Sequence, residues 1–112
     1  MPTDEITTDN LGDHIFDAAK EAFGKKFNKV KAFVQAESDK LAITLNMIID
    51  ATAKGQITEA EAHILLNQQK VAASAVFTAA EGMTVVAAQA AIDAGLAVVK
   101  NFVNGKLGFE LI

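Results

Sequence analysis

The chain has no cysteine, no tryptophan, no tyrosine and no arginine. Without cysteine there is no disulfide framework, no thiolate metal site and no cysteine nucleophile, so the sequence suits either redox compartment, with the cytoplasm as the default expectation. Without arginine the bidentate fork that holds phosphates, carboxylates and guanine edges is missing, and all 10 cationic side chains are lysines. Against them stand 14 acidic residues, and a formal net charge of -4 is the wrong sign for a chain whose main partner is nucleic acid. Residues 1–10, MPTDEITTDN, are acidic and polar where a secretory signal needs a basic start and an apolar stretch, and they are expected to form a flexible tail. The sequence also lacks a glycine-rich phosphate loop, a nucleophile elbow and an H-E-x-x-H motif.

What the chain does contain is aliphatic. Of its 112 residues, 51% are hydrophobic, supplied by Ala, Val, Ile, Leu and 7 Phe, which is ample for one core and predicts a single helical domain over 1–112. The clearest local signal is Lys54-Gly55-Gln56-Ile57-Thr58-Glu59-Ala60-Glu61. A glycine suited to ending one helix precedes Thr58 and Glu61 at capping-box spacing, which predicts a turn at 54–57 between antiparallel helices.

Before that turn, Phe16, Ala19, Phe23, Phe27, Val30, Val34, Leu41, Leu45 and Ile48 recur at helical spacing. Glu37 and Ser38 interrupt the stripe, and Ser38-Asp39 is suited to capping a new start, so a bend is expected near 35–39. After the turn, residues 58–104 carry no proline and are rich in alanine, which predicts one long helix stopping at Asn104-Gly105, with 105–112 as a C-terminal tail. Two arms of roughly 70 Å each would then form a long antiparallel all-α hairpin that assembles into a helical bundle. A compact four-helix bundle is the alternative, reached if Gly82 is a true turn. Gly82 and Gly95 each mark either a kink or a close backbone approach.

The second arm has two apolar faces. Ala72, Val76, Ala79, Met83, Val86, Ala90, Ala94 and Ala97 form a stripe of mostly small residues, while Val85, Ile92, Leu96, Val99 and Val103 fall on nearly the opposite side. One neighbouring helix covers one face, so a second partner is implied, and another copy of the chain is the simplest supplier. The expected interface therefore comprises Ala72, Ala79, Met83, Ala90, Ile92, Leu96, Val99 and Val103, in a homodimer or higher homo-oligomer. A different protein partner remains compatible with the same surface.

Membrane insertion is disfavoured. The stretch from Lys70 to Lys100 has no cation, yet Glu81 and Asp93 interrupt it at roughly 2.5 to 3.5 kcal/mol each. The remaining chemistry is sparse. Glu59 and His63 share a helix face at i, i+4, and His14 sits between Asp13 and Asp17, but two histidines without a third ligand read as solvated helix starts, and no metal or cofactor is expected. Asp93 groups with Gln89, Lys100 and, more loosely, Ser74, Thr78 and Glu81, the pattern of a polar strip. Lys25, Lys26, Lys29 and Lys31 make a basic run opposite in sign to Asp4, Glu5, Asp9, Asp13 and Asp17. The function expected from these features is a non-catalytic assembly or protein-interaction module acting by self-association. The alternative is reversible binding of lipid or another hydrophobic surface.

Overall fold

The computed structural model describes residues 5–112, with only the backbone described at Lys26, Ala80 and Glu81. Those residues are 80% helical, in five α-helices and no strand. Helix α1 spans Leu11–Phe23, a 3-10 turn spans Gly24–Lys26, and α2 spans Phe27–Ala53. Then follow α3 (Glu59–Glu81), α4 (Val85–Ala97) and α5 (Lys100–Leu107).

The hairpin between α2 and α3 follows the capping signal. Thr58 Oγ1 accepts from the Glu61 N–H at 3.1 Å, and the Thr58 N–H donates to Glu61 Oε1 at 2.9 Å. Two otherwise orphaned donors are thereby satisfied, which fixes where α3 begins.

The second arm is not one helix. Gly82 adopts φ 63°, ψ 26°, the left-handed conformation that ends α3, and its N–H donates to the Thr78 carbonyl. Two residues later Thr84 turns extended and its Oγ1 accepts from the Ala87 N–H at 3.1 Å, starting α4. The chain therefore folds back at Gly82, and the compact bundle is the arrangement adopted. Its principal extents are 41 × 29 × 18 Å, where two straight arms would need roughly 70 Å. The radius of gyration of 13.6 Å is that of a compact chain of this length, for which about 13 Å is expected.

The bend anticipated at 35–39 is absent. Helix α2 runs through it, and Glu37 and Ser38 are buried inside the stripe they seemed to interrupt. Glu37 is tolerated there because Lys40 Nζ donates to its Oε2 at 3.0 Å, and Asp39 is occupied by the Gln35 side chain instead of capping a helix. The break falls earlier, at Gly24, whose φ of 56° with ψ -127° ends α1.

Packing goes round a square. Helix α1 lies against α2 and α4, α3 lies against α2 and α4, and α5 closes on α2. Leu11, Ile15, Ala19 and Phe23 of α1 meet a core that includes Val30, Val34, Leu41, Leu45 and Ile48 of α2 and Ala88, Ile92 and Leu96 of α4. Phe23 and Phe77 meet edge to face at 5.1 Å, which puts the end of α1 beside the end of α3.

Both ends of the described chain are tied down. Ile6 packs on the core, Asn46 Nδ2 donates to the Thr8 carbonyl at 2.9 Å, and Asn10 caps its own turn, so residues 5–10 are part of the fold and the flexible tail expected over 1–10 does not extend to them. Residues 1–4 lie outside the described residues. At the other end α5 continues through Gly105 to Leu107, and Asn104 holds the last residues by accepting from the N–H groups of Leu111 and Ile112 at 2.8 and 3.1 Å. The expected tail 105–112 is thus a helix end and a latched segment, with Leu111 buried.

Gly95 is a close approach, not a kink. A Cβ placed there would sit 3.0 Å from Ile15 Cγ2 and 3.1 Å from the Ile15 carbonyl oxygen. Gly95→Ala is therefore expected to lower the thermal midpoint, because crowding of about 1–3 kcal/mol outweighs a gain in helix propensity of about 1 kcal/mol. Gly105→Ala, in α5 with nothing within 4 Å, is expected to raise it. Calorimetry on the two variants checks both signs.

Candidate interaction surface

The turn at Gly82 sorts the two apolar faces of the second arm. Ile92, Leu96, Val99 and Val103 point inward and are buried in the chain's own core. Ala72, Ala79 and Ala90 remain exposed, and Met83 is half-buried and packed at the core's edge. Folding α4 back against α1 thus covers the bulky face with residues of the same chain, which was the task assigned above to a second copy. Ala94 and Ala97 share the outward side with Ala90, and Val86 is the most exposed large apolar residue, at 76%.

Where α3 and α4 diverge, a shallow groove of about 250 Å³ is lined by Asn67, Lys70, Val71, Ser74, Gln89 and Asp93. Lys70 Nζ lies 3.1 Å from Asp93 Oδ1 across it. Asp93 does gather with Gln89 and Ser74, as the polar strip required, but its cationic partner is Lys70. The side chain of Glu81 lies outside the described residues.

No family model, no curated protein and no solved structure matches the chain.

The two histidines are far from equivalent. His63 is exposed on the first turns of α3, its ring 6.3 Å from that of Phe109. His14 is buried on α1 and not in a solvated helix start, and its Nε2 is enclosed with no hydrogen-bond partner. Among the described residues no three His, Asp or Glu side chains converge as a metal-binding group.

No single helix among the described residues is long and apolar enough to cross a membrane. Helices α4 and α5 reach the needed apolar length only together, across a bend of 64°, and the inner face of each is committed to the core.

The surface holds one feature the sequence reading did not anticipate. Phe33, Ile43 and Met47 of α2 are exposed at 47, 60 and 59% on the outer side of α2, with Ile43 at the edge of a shallow groove that it shares with Gly12 and Asp13 of α1. The α1 side of that helix is marked by Asp39 and Ala42 beneath Gly12 and by Asn46 bound to Thr8. Helix α3 contributes Ile64, 57% exposed. These residues stood outside the inward stripe of α2 and so passed as surface, although Ile43 and Met47 lie one helical turn apart.

Proposed function

We propose that the chain is a non-catalytic helical module that works by self-association. The observation that carries this reading is the set of large apolar side chains left exposed on α2 and α3, Phe33, Ile43, Met47 and Ile64, although the chain already has a complete core. Isolated apolar residues on a surface are ordinary, but four large ones on two neighbouring helices support an interaction site. Fully burying such a side chain contributes about 1.5–3 kcal/mol, so each half-exposed one still has about half of that to gain. Light scattering at tens of micromolar is expected to give twice the chain mass or more, and a monomer there would overturn the reading.

The second reading, docking to an anionic lipid surface, is supported by a different observation. Lys20, Lys25, Lys26, Lys29 and Lys31, half of the 10 lysines, fall within twelve residues around the Gly24 break, and the Phe23–Phe77 contact puts this end of the bundle near the α3–α4 corner with its exposed Val85 and Val86. Each lysine held near an acidic membrane contributes about 1 kcal/mol, screened by salt. Co-sedimentation with phosphatidylserine vesicles that weakens as salt rises would favour it, and no sedimentation at low salt would end it.

A further inference from the structure

The exposed residues of α2 follow a heptad-like order that the core does not use. Phe33, Ala36, Lys40, Ile43, Met47, Asp50 and Lys54 succeed one another at steps of three and four, all exposed, the first six on one uninterrupted helix and Lys54 just past its end. A 3-4 repeat on one helix is the pattern that packs knobs into holes against a second helix. The inward stripe, Val30, Val34, Leu41, Leu45 and Ile48, is separate and already buried, and the apolar side chains Phe33, Ile43 and Met47 of the outer seam are left exposed.

Charge selects the direction of pairing. Two such seams laid parallel would stack Lys40 on Lys40 and Asp50 on Asp50. Laid antiparallel about a two-fold axis level with Leu45, they put Ile43 against the other copy's Met47, and Lys40 against its Asp50, each contact occurring twice. Two apolar layers at the centre are then flanked on both sides by opposite charges, the isologous arrangement that a two-fold requires.

The ends of the seam also have a destination. Phe33, about 18 Å from the axis at 1.5 Å per residue, falls opposite the α2–α3 turn of the other copy. There Ile57, Ile64 and Leu65, with Glu61 and Gln68, line a groove of about 280 Å³.

We propose that two copies of this chain pair through the outer seam of α2 in antiparallel register, Ile43 against Met47 and Lys40 against Asp50, with Phe33 seated in the groove of the opposite copy. This pairing rests on the self-association reading and specifies its surface. Lys40 already donates to the buried Glu37 and Asp50 already receives Lys54 at 3.0 Å, so the pairing joins two intrachain ion pairs into one network.

The absence of cysteine makes a direct test available. Ile43→Cys and Met47→Cys are both at exposed positions, so both variants should fold. Under mild oxidation an equimolar mixture is expected to form the mixed disulfide several-fold faster than either variant cross-links with itself, and Ile43→Glu is expected to abolish the dimer with helix content unchanged. If the unmodified chain is monomeric by light scattering, the self-association reading and this pairing fall together. If it is dimeric but the mixture cross-links no faster than the single variants, or if the dimer survives Ile43→Glu and is lost on Val86→Glu, self-association stands and the α2 pairing is overturned. Charge reversal is read at Asp50→Lys, because Lys40→Asp would also strip the partner from buried Glu37.

Discussion

Leu96→Asp is expected to abolish the folded state of a single chain. Leu96 is 1% exposed in the α1–α4 contact, and a buried leucine cut back to alanine already costs about 2–5 kcal/mol. The carboxylate adds several kcal/mol, because it would be buried in the apolar core. A domain of this size has about 5–15 kcal/mol in all, so the sum reaches the whole stability. Far-ultraviolet circular dichroism is expected to show most of the helix signal lost. Val86→Asp, at a position 76% exposed in the same helix, should leave that signal intact. A Leu96→Asp chain that stays fully helical and changes only its mass in solution would mean that Leu96 belongs to an interface between copies and not to the core.

That contrast turns on one turn that was only partly legible. The α2–α3 connection announced itself through Gly55 followed by Thr58 and Glu61, a reciprocal cap written in two residues. The α3–α4 connection uses the same grammar, Gly82 followed by Thr84, but the third residue of α4 is Ala87, so no carboxylate returns the hydrogen bond and the signal is halved. In an alanine-rich stretch without proline, intrinsic helix propensity then outvoted a single glycine and a single threonine. The decision made there by tertiary packing is that Ile92, Leu96, Val99 and Val103 are buried in the chain's own core, with α4 against α1 and α5 against α2.

The Lys70–Asp93 contact was out of reach for the same reason. Twenty-three residues apart on one straight helix they would be separated by roughly 35 Å, and the fold-back brings them to 3.1 Å. The opposite error arose at Glu37 and Ser38, where two polar residues on an apolar stripe looked like a break. A buried carboxylate with its own lysine three residues on costs less than interrupting a helix that has no glycine or proline between Lys25 and Lys54. The apolar seam of α2 was legible in principle, since its spacing is regular. It was passed over because the inward stripe of the same helix already explained why α2 should pack.

Two phenylalanines allow core and surface to be separated in one experiment. Phe77 is 3% exposed and packs edge-on against Phe23, with ring planes at 86°. Phe77→Ala removes one of the two rings that join the ends of α1 and α3. A loss of about 3–5 kcal/mol is expected, with a fall of more than about 10 °C in the thermal midpoint. Phe33 is the same residue type on the neighbouring helix, but 47% exposed, and Phe33→Ala is expected to change the folding stability of the single chain by no more than about 0.5 kcal/mol. Its effect should fall on association. Urea titrations at submicromolar concentration, where pairing is negligible, measure the first quantity, and light scattering at tens of micromolar measures the second. Phe77→Ala should shift the urea midpoint strongly and Phe33→Ala only the mass. A Phe33→Ala variant that loses as much folding stability as Phe77→Ala would show that Phe33 is a structural member of the monomer, and would remove the knob from the proposed groove.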